Sequence, residues 1–475
     1  MSSRAPQAER DPRDFVSRVR RENEEEFGKT ARQAVERMLA AGHSRPWTYV
    51  YELTQNAIDA GARRVEWRRI DQDTVRFRHD GAQALDEEHV RALASLGQST
   101  KGLAAIGFMG VGFKSVFSRF RRARVSGFGW RFRFNITTDR GDLGARVIRW
   151  FDTLLPEWDE ESPPLNAEAD YTTVFQLSHR ADPDPPLMAD LERLAAPDDP
   201  IPLAVLALRG LEEVCIDDVT WRLSAKDCDV EVRSSPEGRL FRWQSFASNY
   251  RPGNDEMRAF LEARRELNDQ RDARGQRPER QVIALLPLDS TGRPAPPDRG
   301  RAYATLPTQA SVPFGFHLQA DWLVDLDRQN LRPIEENAWQ QAIVRQVPEL
   351  VRQILVWLKK QPEGSKERGY RLLADPTKDD DPLSEALGHL QQDFARAIGD
   401  LNVVPIHGGT KGSYSTLDVR WSDTLPRWWS ALAELPEDGR TDALFALWHG
   451  IKDREWNDVP AVPTEATVAR ISCPL

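Results

Sequence analysis

The chain is poor in cysteine. It has 3 in 475 residues, at positions 215, 228 and 473, far apart and without a C-x-x-C pair. That argues against a disulfide framework or a zinc site and suits a reducing compartment. Long hydrophobic runs are also missing. No apolar stretch approaches the roughly 18 residues of a membrane span. The opening residues, MSSRAPQAERDPRDFVSRVRREN, lack the apolar core of a signal peptide. The expectation is a cytoplasmic protein with no membrane segment. There is no excess of positive charge either. The formal net charge is -9, which disfavours nucleic acid over the surface as a whole. No internal repeat is visible. What is present is an ordinary balance, 40% hydrophobic and 29% charged, with length for two or three domains. The 15 tryptophans are scattered and read as packing residues.

Residues 1–12 read as a disordered lead within a flexible arm reaching residue 30. Residues 13–41 carry charges of both signs and end at Gly42, a solvated helix with a glycine stop. In HSRPWTYVYELTQNAIDAGA, Ser44 suits an N-cap, Pro46 a first turn and Gly61 a stop, which predicts a helix over Arg45–Ala60. RRVEWRRI and TVRFRHD alternate as strands, and DEEHVRALASLG reads as a helix opened by Asp86. VSGFGWRFRFNITT and YTTVFQLSH are further strands. The order predicts an α+β sandwich with helices on one face of a mixed sheet.

The proline-rich segment HRADPDPPLMADLERLAAPDDPIP reads as a connection to a second α/β domain over 201–375. In that domain RQVIALLPL and RAYATLP are strands and ENAWQQAIVRQVPELVRQILVWLKK is helical. DPTKDDDP reads as an acidic linker to a C-terminal extension over 376–475.

Glu52 and Asn56 are four residues apart and share one helix face, with Asp59 three further on. An amide oxygen there suits Mg²⁺, and a carboxylate can orient and deprotonate water. Downstream, IGFMGVGFKSVF over Ile106–Phe117 holds three glycines, a lysine and a serine, yet Phe113 breaks the G-x-x-x-x-G-K-[ST] pattern of a P-loop. HDG at His79–Gly81 lies between these two stretches.

Together, ELTQNAIDAGA, HDG and IGFMGVGFKSVF resemble the signatures of the GHKL ATPases, the superfamily of gyrase, the ninety-kilodalton heat-shock chaperones, histidine kinases and MutL. The resemblance covers residues 44–175 and implies a GHKL ATP-binding domain over 31–200. It implies Glu52 as general base and Asn56 as Mg²⁺ ligand, with Asp59 in the nucleotide set. Gly107, Gly110, Val111, Gly112 and Phe113 would face the phosphates at a helix start. Lys114 would either touch phosphate or sit on the helix surface. Ser99, Thr100 and Lys101 resemble the polar start of the mobile ATP lid, and Thr172 the threonine of the adenine network.

The second family signature, D-x-G-x-G, is altered. Aligned on Gly81, His79 stands at the adenine-binding aspartate and Asp80 is one place late. Three readings follow: Asp80 reaches adenine by a changed turn, His79 replaces it, or base selectivity is relaxed. The H-[ND]-G form and the G-V-G-F-K-S-V-F ending resemble the sacsin-type branch. FGFHLQADWLVDLDRQNL resembles a chaperone-type middle segment, which implies Arg328 as a cation for the γ-phosphate. LNVVPIHGGTKGSYSTLDV reads as strand–turn–strand. In SRFRRARVSGFGWRFRF, alternation of arginine with phenylalanine reads as one buried and one solvated strand face, with nucleic acid the rival reading.

The resemblance implies an ATP-binding, slowly ATP-hydrolysing conformational switch. Its setting would be chaperone-like, sacsin-like, or a bacterial stress or defence system, working as a homodimer or in a larger complex. The rivals are a nucleotide-gated binding scaffold without turnover, a kinase and a MutL-like DNA transaction ATPase. The retained Glu52 speaks against the first, the lack of a phosphoacceptor helix pair against the second and the acidic balance against the third.

Overall fold

The computed structural model describes residues 11–26, 32, 33, 36, 47–95, 112–140, 146–161, 170–180, 187–196, 198, 200–266, 279–325, 330–361, 382–390, 393, 397, 402–405 and 413–415. Contacts divide the chain into two units. One holds Met1–Ala225, Glu231–Leu240 and Glu262–Arg277, and the other Lys226–Val230, Phe241–Leu261 and Pro278–Leu475.

The first unit begins with α1 (Pro12–Glu26), in which Phe15, Val16 and Val19 are buried. The helix of Glu52 is α2 (Thr48–Asp59). Ser44 and Pro46 lie outside the described residues, and Trp47 precedes the helix with no side-chain cap. The C-terminus is a Schellman motif: Ala62 N–H donates to Ala57 O and Gly61 N–H to Ile58 O, both at 2.9 Å. Gly61 has φ +81°, which explains why a glycine ends this helix. Helix α3 (Glu87–Leu93) opens on Asp86, whose carboxylate accepts from His89 N–H at 2.9 Å.

The strands of this unit are β1 (Arg64–Arg69), β2 (Val75–His79), β3 (Phe120–Gly127), β4 (Trp130–Asn135), β5 (Thr138–Arg140), β6 (Arg146–Ile148), β7 (Glu157–Trp158), β8 (Thr173–Arg180), β9 (Glu213–Ile216) and β10 (Val219–Lys226). β5 and β6 form a separate hairpin, and the others align as β10-β9-β1-β2-β8-β3-β4-β7. The sheet is mixed, because β1 and β9 run parallel whereas β1, β2, β8, β3 and β4 meet antiparallel.

Alternation sorts the sheet faces. Val65, Trp67, Phe77, Val125, Phe132, Phe134, Phe175 and Leu177 point inward and are buried. Helix α2 covers this face, with Tyr49 edge-on to Trp67 and Phe120 at 5.8 and 5.2 Å. Beside it a 3₁₀ helix, Gly112–Ser118, sets Phe113 and Phe117 against Phe134 at 5.5 and 6.1 Å. The opposite face carries arginines matched to carboxylates. Arg78 and Arg76 meet Glu66 at 2.8 and 3.5 Å, Arg124 meets Asp159 at 2.8 Å, and Arg133 meets Glu157 at 3.3 Å. The alternation of the Arg/Phe run thus separates a buried aromatic face from a face of half-buried, ion-paired arginines, which is less solvated than the alternation suggested.

Helices α4 (Leu187–Glu192) and α5 (Ile201–Ala207) occupy the segment read as a connection. α4 contributes Asp190, which accepts from Arg119 Nε and an Arg119 terminal nitrogen, both at 2.9 Å, with both side chains buried. Tyr49 OH also donates to Asp190, at 3.4 Å.

Strand β11 (Asp229–Ser235) has residues in both units. The second unit holds β12 (Leu240–Tyr250), β13 (Arg280–Leu288), β14 (Gly300–Ala304), β15 (Leu306–Val312) and β16 (His317–Gln319), in the order β15-β14-β16-β13-β12. Helix α6 (Asn254–Glu266) precedes β13. ENAWQQAIVRQVPELVRQILVWLKK forms two helices rather than one, α7 (Ala338–Val344) and α8 (Val347–Lys359), with Pro348 in the first turn of the second. Proline has no backbone N–H for a mid-helix hydrogen bond but fits a first turn, so the break falls just ahead of it. Arg280 is buried between the Phe260 and Trp339 rings at 5.4 and 5.3 Å, and donates to Asp321 at 2.8 Å. Beyond lie α9 (Pro382–Gly388) and the antiparallel pair β17 (Asn402–Pro405) and β18 (Ser413–Ser415), the two strands the sequence suggested there.

The Arg119–Asp190 pair is enclosed, so removing one partner strands a charge. Arg119→Met or Asp190→Leu alone is expected to cost about 3–5 kcal/mol, and the double replacement far less. Equilibrium urea unfolding of the four proteins checks this; single variants within about 0.5 kcal/mol of wild type would exclude a structural role for the pair.

Candidate functional site

Helix α2 places Glu52, Asn56 and Ala60 on one stripe, because four residues make about one turn. Each end of the stripe meets a glycine. At the first, Gly112 lies so close that a Cβ on it would stand 2.0 Å from Glu52 Oε2 and 2.8 Å from Glu52 Cδ. At the second, a Cβ on Gly81 would stand 2.9 Å from both Ala60 O and His79 Nδ1. Eight residues of helix separate the two contacts, about 12 Å along the axis. Glu52 is 2% exposed and Asn56 is half-buried on the turn between. Asp59 ends the helix.

The second contact belongs to the turn after β2. His79 lies on the inner face with Phe77, and its ring stands 6.5 Å from Phe175. Its Nδ1 accepts from Gly81 N–H at 3.1 Å. Thr172 completes the turn: its N–H donates to His79 O at 2.9 Å and its hydroxyl to Gly81 O at 2.6 Å. Gln83 N–H donates to Ala60 O at 3.1 Å, which ties the turn to the end of α2.

Asp80 faces the other way, as alternate strand residues must. Its Oδ1 accepts from the backbone N–H groups of Arg63 and Arg64 at 2.9 and 2.8 Å, and Oδ2 from Arg64 Nε at 3.3 Å. The carboxylate ties β2 to the start of β1. It is not presented beside His79.

Lys114 departs from the surface position that the sequence offered as one of two readings. It is buried, so it does not sit on a helix surface, and its ammonium is held by backbone carbonyls. Nζ donates to Leu93 O and, at 2.6 Å, to Thr153 O. Two of its three N–H donors are committed in this way. Phe113 and Phe134 lie 5.6 and 5.2 Å from Nζ. Burial pushes its pKa well below the usual lysine value. Lys114 thus joins the end of α3 to the start of the 3₁₀ helix, the two flanks of the glycine-rich stretch.

Ser99, Thr100, Lys101, Gly107, Gly110, Val111 and Arg328 lie outside the described residues. The structure brings Glu52, Gly112 and Phe113 to one end of the stripe and His79, Gly81 and Thr172 to the other, with Asn56 on the turn between. Phe175 was not anticipated. It stands 6.1 Å from Phe113 and 6.5 Å from His79, so it floors the middle of the site. Its inward position was available from the alternation of Thr173, Phe175 and Leu177.

No protein-family model matches the chain, and no curated protein matches it. Among solved structures, the B-subunit of DNA gyrase from Myxococcus xanthus aligns over 74% of this chain and 89% of its own, at 13% identity and TM-score 0.31. The ATP-binding domain of topoisomerase IV from Francisella tularensis aligns over 72% and 90%, at 10% identity and TM-score 0.30. The ATPase region of topoisomerase II from Saccharomyces cerevisiae aligns over 51% and 74%, at 9% identity and TM-score 0.24. Overlap this weak assigns no function to this chain.

Two measurements probe the geometry. Gly112→Ala drives a methyl group into Glu52 and is expected to cost about 1–3 kcal/mol, most of it relieved when Glu52→Ala is added. Equal penalties in both backgrounds, read by urea unfolding, would show that the two residues do not touch. Lys114 supplies a pH dependence. Its folded pKa lies below 10.5, so the unfolded chain binds the extra proton between those values, and its contribution to stability rises with pH across that window. Lys114→Met is expected to flatten that rise; an unchanged pH slope would mean that Lys114 titrates normally.

Proposed function

We propose that the first unit is a Mg²⁺-dependent nucleotide-binding domain that hydrolyses ATP slowly and uses the cycle as a conformational switch. The observation that carries this reading is the clasp of Gly112 on Glu52, which sets a buried carboxylate against the end of a glycine-rich stretch. Catalysis needs such a carboxylate beside the phosphates, and glycine is the residue that lets backbone approach it. The motif resemblance supplies the nucleotide. The second glycine contact, about 12 Å along α2, supplies a span of the size a nucleoside triphosphate needs.

In this reading, the terminal phosphate lies at the Gly112 end and the base at the Gly81 end. Glu52 accepts a proton from the attacking water. The water oxygen forms a bond to the γ-phosphorus, the bond to the bridging oxygen breaks, and ADP leaves with inorganic phosphate. The donors present fit a hard cation, because the Asn56 carboxamide oxygen projects from the same stripe as Glu52. Bound there, Mg²⁺ would offset phosphate charge. The Phe113 backbone N–H and the residues of the glycine stretch would line the phosphates. Lys114 acts at one remove, by fixing where that stretch begins and ends. Arg328 stays in the proposal on sequence alone. Partner chains, whether a second copy or a client protein, enter through the motion that nucleotide drives.

The test is nucleotide binding and phosphate release by the purified chain beside Glu52→Ala and Asn56→Ala. Glu52→Ala is expected to keep ATP binding and to lose release by about 10²–10⁴-fold. Asn56→Ala is expected to weaken Mg²⁺-dependent binding. Binding without release from the wild-type chain would identify a nucleotide-gated scaffold instead. Failure of the wild-type chain to bind ATP with Mg²⁺ would sink the assignment.

A further inference from the structure

The second unit carries a set of donor groups that the nucleotide reading does not use. Helix α9 (Pro382–Gly388) turns Leu383, Ala386 and Leu387 into the protein. Glu385 faces solvent, and His389, four positions on, is exposed as well. The backbone keeps helical spacing across that step, because His389 N–H donates to Glu385 O at 3.3 Å. Glu385 and His389 therefore lie one above the other on one face.

A third donor arrives from much earlier in the chain. Glu335 follows the buried Ile334 in the turn before α7. That turn is held by the helix it leads into. Asn337 Oδ1 accepts from the N–H groups of Trp339 and Gln340 at 3.0 and 3.2 Å. Gln341 Nε2 donates to Glu335 O at 2.6 Å. The backbone beneath Glu335 is thus fixed independently of what its carboxylate meets.

The three side chains converge. One carboxylate oxygen from each glutamate and one ring nitrogen of His389 all lie within 4.8 Å of one another. Glu335 Oε1 stands 3.4 Å from His389 Nε2. Zinc bonds of about 2.0–2.2 Å to such atoms put neighbouring donors of a tetrahedral site roughly 3.3–3.6 Å apart. An ion pair between Glu335 and His389 explains two of the three residues. It leaves Glu385 as a second carboxylate beside them, with no ion pair of its own among the described residues.

The donor types choose the class of cation. Two carboxylates and a neutral imidazole carry two negative charges, which a divalent cation balances. Mg²⁺ and Ca²⁺ take oxygen ligands, whereas imidazole suits zinc and its first-row neighbours. No cysteine takes part, so the scarcity of cysteine does not bear on this set. We propose that Glu335, Glu385 and His389 bind one zinc-type divalent cation at the surface of the second unit, with water in the remaining position. The ion would clip α9 to the turn before α7 and so close a long loop of chain.

The experiment is calorimetric titration of the full-length chain, stripped of metal by chelation, with Zn²⁺ and separately with Mg²⁺. It is run beside His389→Ala and Glu385→Gln. The second variant keeps the Glu335–His389 ion pair and removes only a metal ligand. Wild type is expected to bind Zn²⁺ at a site that each variant weakens by about tenfold or more, with excess Mg²⁺ failing to displace it. Saturating Zn²⁺ is expected to raise the wild-type thermal midpoint by about 2 °C or more and to leave the variants nearer their metal-free midpoints. The same melts report that the variants are folded. No Zn²⁺ binding by wild type, or binding undiminished in either folded variant, would overturn the site. Displacement of Zn²⁺ by an equal concentration of Mg²⁺ would overturn the class of cation.

Discussion

The contact between Gly112 and Glu52 is the constraint on which the first unit depends. A carboxylate this deeply buried would ordinarily be costly. Here it stands against backbone that no other residue type could bring so near. The position of the 3₁₀ helix relative to α2 follows from that closeness, and the Phe113–Phe134–Phe175 packing follows from the helix. The sheet supplies the floor, α2 the functional stripe, and the two glycines the points where chain and stripe meet.

The scaffold around the site is stiff where the site needs registration. The Schellman turn at Gly61 stops α2 so that Ala60 O can receive the turn after β2. Asp80 locks the same turn from the outer face by accepting two backbone N–H groups. Arg119 and Asp190 close the inner layer beneath Tyr49. These contacts come from segments far apart in sequence, and they converge on one helix.

Much of this was legible in the residues. Strand alternation placed β1, β2, β4 and β8, and Asp86 and Gly61 marked helix ends where the structure has them. The spacing of Glu52 and Asn56 put them on one face because a helix turn leaves no alternative. Three things were not legible. Whether Asp80 or His79 faces inward depends on where β2 ends, and period-2 alternation fixes this only once the register with β1 is known. The place of Lys114 depends on tertiary contacts with Leu93 and Thr153, which no local pattern encodes. The break between α7 and α8 was signalled by Pro348, but a proline is equally at home in a first turn and beyond a helix end, so the pattern alone allowed one helix or two.

Lys114 has one chemical consequence. An amine wholly enclosed by aromatic rings and backbone carbonyls is shielded from acylating reagents and acetyl-transfer enzymes so long as the base of the glycine stretch stays shut. Once that base opens, the burial that depresses its pKa is lost and the amine reacts as an ordinary exposed lysine does. The fold has thereby placed a covalent reporter of local opening at the root of the glycine-rich stretch. Its labelling rate would count openings one molecule at a time, apart from any global unfolding of the unit.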